Sequence, residues 1–279
     1  MPRRNGWQRP WHPQQVATWV GFLAYVAAFY KSICPHVASN LALFCQIGYG
    51  IISLATAVSA LFVTIIDPVD RAAAKEREAR VQSRVYDLSD FPRICHICVI
   101  HTSKSTKHCG YCRKCVADFD HHCHWVNNCV AGRNYVLFIV LVCCLQVQIS
   151  WFVGLGGAII GELLGSGEPG KQTEASILLA LLFIGSAVFL LNGVLILFHI
   201  YLRCKGISTF TFMKKRRPKA AVQPALQLDN SKLSMRMSQD ASLSQDQQSS
   251  DLPTFHPDSQ QVQQFSVCRQ PAEEFILPS

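Results

Sequence analysis

The stretch CHICVIHTSKSTKHCGYCRKCVADFDHHCHWVNNC, residues 95–129, holds seven of the chain's thirteen cysteines. Its spacing reads C-x2-C-x9-H-C-x2-C-x2-C-x4-D-H-H-C-x5-C. Cys-x2-Cys pairs with histidines beside them suit closed zinc sites of four N/S ligands, in a reducing compartment where thiols are not oxidised to disulfides. Two such sites need eight ligands. Cys95, Cys98, Cys109, Cys112, Cys115 and Cys129, with two histidines from His108, His121 and His122, supply them and leave Cys123 over. Spacing does not choose the histidines, because His96, His101 and His124 stand in the same stretch. The surplus thiol directly follows Asp120, His121 and His122. An imidazole that takes the thiol proton, with a carboxylate to fix its tautomer, generates a thiolate nucleophile. The competing reading makes Cys123 a ninth ligand in a redundant cluster.

Outward from this stretch the chain turns apolar. Of 279 residues 49% are hydrophobic and 16% charged, against about 25% charged in soluble domains, and the mean hydropathy is +0.18. Four blocks reach the ~20 residues that an α-helix needs to cross a bilayer: 16–34, 41–66, 135–160 and 175–202. Lys31 interrupts the first near its end, where its long side chain can reach the headgroups. None holds Asp, Glu or Arg, which argues against a proton-coupled transporter or ion channel. His199, in the fourth block, is read as a hydrogen-bonded imidazole near the interface. Gly157 and Gly161 form a G-x-x-x-G read as helix packing.

The net charge of +8 is unevenly distributed. Lys and Arg concentrate in 1–15, 67–134 and 203–279, whereas Lys31 and Lys171 alone fall on the other side. Basic loops stay in the cytosol, so both termini and the middle loop are expected there, with a short lumenal loop at 161–174. Lys214, Lys215, Arg216, Arg217 and Lys219 read as a topology and anionic-lipid signal. From about 227 to 266 Ser, Gln and Asp dominate, a composition expected to be disordered.

At Asp120-His121-His122-Cys123, followed by Trp125, Asn127, Asn128, Cys129, Val130 and Asn134, the chain resembles the DHHC-type protein S-acyltransferases, or palmitoyltransferases. It resembles the branch without ankyrin repeats. The likeness is continuous from Cys95 to Asn134, and four spans with the loop between the second and third agree with it. It implies an all-α polytopic membrane protein with a cytosolic zinc-binding domain, about 93–134, between transmembrane helices 2 and 3. It further implies one structural zinc on Cys95, Cys98, His108 and Cys115 and another on Cys109, Cys112, His122 and Cys129. The implied nucleophile is Cys123, the base His121, the orienting carboxylate Asp120, and Thr209 supports Asp120. The family's Asp-Pro-Gly stands here as Asp67-Pro68-Val69, and its Thr-Thr-x-Glu as Ser208-Thr209-Phe210-Thr211, without the glutamate. Ser103 to Lys107 replace its Lys/Arg-Pro-x-Arg stretch.

The position of the thiol restricts its substrate independently. Cys123 lies twelve residues before Tyr135, where the third span begins. Exposing a palmitoyl chain to water costs on the order of 10 kcal/mol at about 0.8 kcal/mol per CH2, and a thiol at the membrane surface avoids that cost. The expected reaction is ping-pong transfer from palmitoyl-CoA through acyl-Cys123 to cysteines of cytosolic or membrane-associated proteins. The resemblance implies a location on the endoplasmic reticulum or Golgi. The alternative is a catalytically weak or inactive membrane-tethered zinc scaffold or adaptor. A nucleic-acid partner is not expected, because Phe119 and Trp125 flank the Asp-His-His-Cys string and read as structural.

Overall fold

The computed structural model describes residues 2–85, 91 and 93–216. Arg217, Lys219 and the expected disorder of 227–266 lie outside the described residues. Met1–Lys214 form one unit; of a second, Lys215–Ser279, the described part is Lys215 and Arg216.

An irregular strap of bends and turns over residues 2–12 leads into α1 (Pro13–Ala28), which continues through a π-helical turn at Phe29–Ile33 and a 3-10 turn at Cys34–His36. Pro13 starts α1 at the position where a missing N–H costs nothing, and the His12 side chain accepts from the Gln14 N–H at 3.3 Å. Next come α2 (Ser39–Ile65) and α3 (Arg71–Val81). Six short strands follow as β1 (Arg93–Cys95), β2 (Ile100–Thr102), β3 (Lys107–Cys109), β4 (Lys114–Val116), β5 (Phe119–Cys123) and β6 (Asn128–Ala131). They pair as three antiparallel hairpins, β1–β2, β3–β4 and β5–β6. The long helices α4 (Tyr135–Gly165) and α5 (Pro169–Cys204) lead to the short α6 (Thr209–Arg216).

Four helices, Pro13–His36 with its two turns, α2, α4 and α5, are long and apolar enough to cross a membrane, and the cysteine-rich domain lies between the second and third. The protein is mostly helical. The departure from an all-α fold is the three hairpins, whose strands are too short to carry an apolar alternation and are organised by their Cys and His side chains instead. The expected loop at 161–174 is also shorter than its hydropathy suggests. α4 runs to Gly165 and α5 starts at Pro169, so the connection is 166–168. Hydropathy ends at Glu162, but the helix ends where Gly167 turns at φ +68° and Pro169 opens the next helix. The segment from 203 onward holds α6 rather than coil alone.

Lipid would face Leu43, Phe44 and Leu54 on α2 and Phe183, Leu191 and Leu197 on α5, all exposed. The interior carries polar bonds between helices, which hydrocarbon cannot replace. Asn192 donates to Val142 O at 2.9 Å and Gln146 Oε1 at 2.8 Å, Gln148 donates to Ser53 Oγ at 3.1 Å, and the Tyr25 hydroxyl donates to Leu181 O at 2.7 Å. Phe29 stacks on Tyr49 with centroids 3.6 Å apart. The G-x-x-x-G reading is overturned, because a Cβ on Gly157 or Gly161 would meet nothing within 4 Å. The packed stripe of α4 is Phe152, Gly156, Ile159 and Leu163, one step out of phase, and a Cβ on Gly156 would come within 2.8 Å of Leu182.

Three asparagines fix the cysteine-rich domain to the membrane helices. The last carbonyls of a helix have no partner within it, and the buried Asn128 amide donates to Val63 O, Thr64 O and Ile66 O at 3.0, 3.1 and 2.8 Å. Asn127 donates to Gly6 O, Pro10 O and Gln15 Oε1. Asn134 accepts from Ala131 N at 2.9 Å and donates to Cys129 O at 3.0 Å. The strap closes over this junction: Gly6 N donates to Thr64 O at 2.8 Å, and a Cβ there would stand 2.2 Å from Val126 O. Buried Lys114 donates to Asp67 Oδ1 at 2.6 Å and to Arg4 O at 2.7 Å, anchoring the Asp-Pro segment. Val69, in place of glycine, is not among the residues with positive φ, so the backbone does not require glycine there. On the far side Asp70 caps α3 through Ala73 N and accepts from Ser103 N, while Glu76 accepts from His101 N.

Asn128→Ala would leave Ile66 O without its donor and Val63 O and Thr64 O with only Asn134 and Gly6 N, at roughly 1–3 kcal/mol for each group left unpaired where water cannot reach. A lowered thermal midpoint of the detergent-solubilised chain is expected. An unchanged midpoint would show that the amide is not what holds the junction.

Candidate active site and metal quartets

Register brings the cysteines together. In β3–β4, His108 pairs with Cys115, and in β5–β6, His122 pairs with Cys129. The turn of the first hairpin carries Cys95 and Cys98, and that of the second carries Cys109 and Cys112. Both Cys-x2-Cys turns are followed by a residue in the left-handed region, Val99 at φ 51° and Arg113 at φ 51°. A β-branched residue seldom adopts that conformation, and Val99 N donates to Cys95 O at 2.7 Å to close the turn. The result is two quartets, Cys95–Cys98–His108–Cys115 and Cys109–Cys112–His122–Cys129, each with its donor atoms within 4.8 Å of one another. The second hairpin contributes to both, so the quartets interlock.

The donor sets fit zinc. A tetrahedral ion with Zn–S of about 2.3 Å and Zn–N of about 2.0–2.1 Å spaces its ligands roughly 3.5–3.8 Å apart. His122 Nδ1 lies 3.7, 3.4 and 3.7 Å from the sulfurs of Cys109, Cys112 and Cys129, and the Cys112 and Cys129 sulfurs are 3.5 Å apart. His108 Nδ1 lies 3.8 and 3.3 Å from those of Cys95 and Cys98. Without a cation three thiols so close cannot all ionise. The hydrogen bond to Cys112 pushes Cys109 up to about 12 and those to Cys109 and Cys112 raise Cys129, while Cys112 itself is held low. The cysteines among the described residues form no disulfide.

Cys123 stands outside both quartets at the end of β5, 8% exposed, packed with Val63, Val126, Val130, Phe138 and Leu141. That apolar cluster joins the end of α2 to the start of α4, so the thiol borders the membrane helices. Next to it His121 Nδ1 meets Asp120 Oδ2 at 2.8 Å, and the same imidazole interacts with the Cys123 thiol. Burial alone would lower the His121 pKa, but Asp120 and Cys123 raise it to about 9. Burial would raise Cys123, yet the hydrogen bond and charge of His121 bring it below the usual thiol value. Burial likewise opposes ionised Asp120, and hydrogen bonds from His121 and Thr209 overcome it. An imidazolium beside a thiolate is the state these shifts favour.

Thr209 reaches Asp120 through its backbone: Thr209 N donates to Asp120 Oδ1 at 2.9 Å. Its hydroxyl faces the same carboxylate but is buried without a hydrogen-bond partner. α6 is set by Ser208, whose Oγ accepts from Thr211 N at 3.2 Å, and by Phe210 against Phe119 and Phe212 against Phe198, at 5.8 and 5.2 Å. The Thr211 hydroxyl, where a glutamate is missing, lies 3.0 Å from the Ser208 hydroxyl.

His199 on α5 also reaches this site. Its Nδ1 lies 3.1 Å from the Tyr135 hydroxyl, as a hydrogen-bonded imidazole should, but it is 2% exposed and also adjoins the dyad. Its donor atom falls within 4.8 Å of those of Asp120 and His121, and its ring is 6.0 Å from that of His121. Phe138 packs edge-on to both imidazoles, at 5.3 and 5.2 Å. Hydropathy places His199 near a span's end without saying which face it takes.

Residues 88–216 match the family model described as DHHC palmitoyltransferase. Among similar proteins, palmitoyltransferase ZDHHC11 of Homo sapiens is 28% identical over 77% of this chain and 60% of its own. Probable palmitoyltransferase ZDHHC11B of Homo sapiens is 29% identical over 77% of this chain and 67% of its own. Palmitoyltransferase akr1 of Aspergillus oryzae is 29% identical over 54% of this chain and 20% of its own. The chain thus spans between a fifth and two thirds of the length of these relatives. That match covers the hairpins, Asp120–Cys123 and α6, and with relatives of that name the chain is similar to the DHHC palmitoyltransferases.

Proposed function

We propose that the chain is a protein S-acyltransferase that moves a palmitoyl group from palmitoyl-CoA to protein cysteines through acyl-Cys123. The observation that carries this reading is a surplus thiol, outside both quartets, against an imidazole held by a carboxylate at 2.8 Å. With Nδ1 committed to Asp120, His121 has Nε2 to exchange protons. In the first step the Cys123 proton passes to His121, the thiolate attacks the thioester carbonyl, and the bond to the coenzyme A sulfur breaks, that sulfur regaining the proton. In the second step a substrate cysteine gives its proton to His121 and attacks acyl-Cys123, which leaves as a thiolate and is reprotonated. One thioester replaces another, so no redox cofactor is needed. The quartets would hold two structural Zn2+, neutralising crowded thiolates and stiffening hairpins that have little apolar core. The apolar cluster around Cys123 favours an acyl chain lying among the membrane helices. The Lys and Arg distribution supports a cytosolic site, and the resemblance to the family points to an endomembrane, endoplasmic reticulum or Golgi.

Labelled palmitoyl-CoA should load the purified chain in a hydroxylamine-sensitive form. Cys123→Ser should lose the label while retaining two zinc ions. Equal labelling of both chains, or of neither, would sink the reading and leave the zinc scaffold.

Thr209 and His199 are positioning residues in this reading. Thr209 opens α6, where proline is tolerated, so Thr209→Pro removes little beyond the N–H to Asp120. Thr209→Ala should acylate at near the native rate and Thr209→Pro at least tenfold more slowly, with zinc unchanged; the opposite order would assign the role to the hydroxyl.

Tyr135→Phe releases His199 Nδ1 and should slow acyl-enzyme formation by about twofold to tenfold, the range of a net hydrogen bond of 0.5–1.5 kcal/mol. The thermal midpoint serves as control. A native rate in this variant would reduce the His199 pair to packing.

A further inference from the structure

A cavity of about 350 Å³ opens between the strap and the second hairpin, away from Cys123 in its lining. Its walls include Arg3 and Arg9 from the strap, Arg113 from the turn after Cys112, His12 at the start of α1, and the rings of Trp11 and Tyr111. Among the described residues none of these three arginines forms an ion pair with a carboxylate. Arg3 is held in place by two bonds, its backbone N to Cys112 O at 2.9 Å and its guanidinium to Asn127 O at 2.7 Å. Its Nε is nevertheless buried without an acceptor, an orphan donor of the kind that water or an ion ordinarily satisfies. Arg9 lies over the Trp11 ring at 5.4 Å, and both Arg9 and Arg113 are exposed at the rim.

The level of the cavity narrows the ligand. α1 begins at Pro13, directly after the lining residues, so the cavity lies where the first span enters the bilayer. Trp7 and Trp11 are 42% and 52% exposed, as amphipathic rings are at the headgroup layer. Guanidinium groups match phosphate oxygens with paired, charge-assisted hydrogen bonds. The volume is at the lower end of small-ligand sites, which suits a phosphorylated headgroup and not a whole lipid. We propose that this cavity is a site for a phosphate monoester, presented at the membrane surface as the headgroup of an anionic lipid, with Arg3, Arg9 and Arg113 as its donors. The opposing explanation is that the arginines only offset the net negative charge of a zinc ion with three thiolates in the neighbouring quartet, whose His122 also lines the cavity.

The test uses the detergent-solubilised full chain and three probes: dioctanoyl phosphatidylinositol 4-phosphate, its unphosphorylated parent, and soluble inositol 1,4-bisphosphate. Saturable binding is read by native mass spectrometry, with bound zinc measured in parallel. The phosphorylated lipid should bind at least tenfold more tightly than its parent. Arg9→Gln/Arg113→Gln, both at exposed positions, should remove that preference without loss of zinc. Lys214→Gln/Lys215→Gln should keep it. Inositol 1,4-bisphosphate binding as tightly as the lipid would identify a soluble phosphate as the source, and binding of the lipid alone would identify the membrane. No preference for the phosphate, a preference that survives Arg9→Gln/Arg113→Gln, or loss of zinc in that variant with no anion bound would overturn the proposal.

Discussion

A helix that leaves a membrane ends in carbonyl oxygens without donors, and at the end of α2 one side chain, Asn128, meets three of them. Much of the site follows from that contact. Asn128 and Cys129 are neighbours in β6, so the residue that caps the membrane helix is joined to a thiol of the second quartet. The partner strand β5 carries Asp120, His121, His122 and Cys123 in consecutive positions. Alternation along this strand separates their tasks. His122 turns towards the second quartet, while His121 turns towards Asp120, Phe138 and the helices. A strand, in which successive side chains point to opposite faces, lets adjacent histidines take unrelated roles.

Interlocking quartets explain how so small a domain keeps this arrangement. The apolar clusters inside the hairpins consist largely of cysteine with Val116, Ala131, Ala73 and Ile100, too little to order some forty residues against their conformational entropy. The second hairpin contributes side chains to both quartets, so bound metal would brace the three hairpins in series. Around them α3, the Asp67–Lys114 pair and the strap close the remaining sides. Buried Lys114 is stable there because Asp67 Oδ1 and Arg4 O satisfy it.

The parts of this design that were readable beforehand were those written as period or spacing. Four apolar blocks gave the long helices, and Cys-x2-Cys repeats gave clusters of metal-ligating side chains, with Cys123 the surplus thiol beside them. The hairpins were not readable, because strands of three to five residues organised by sulfur show no alternation of apolar and polar positions. Helix ends were misplaced at 161–174 because hydropathy reports where a chain becomes polar, whereas Gly167 and Pro169 decide where it turns. The G-x-x-x-G failed on phase, since Gly156 and not Gly157 lies on the packed stripe. Asn127, Asn128 and Asn134 were visible as letters of a motif. Apart from Gln15 Oε1 on Asn127, their acceptors are backbone carbonyls of the strap, of α2 and of β6, with no signature in sequence. The contact of Thr209 with Asp120 was legible by position, yet the donor is an N–H that almost any residue could provide.

That last contact orders events during synthesis. Domains fold as the chain emerges, earlier parts first. The thiols and imidazoles of both quartets are complete once Cys129 has been made, with the strap and α2 already present to receive Asn127 and Asn128. Asp120 must wait, because the N–H that completes its shell belongs to residue 209, beyond two further helices. A nascent chain can therefore hold a metal-ready domain while its carboxylate is still short of a donor. The Cys123 thiol acquires its full setting only after the fourth membrane helix is in place.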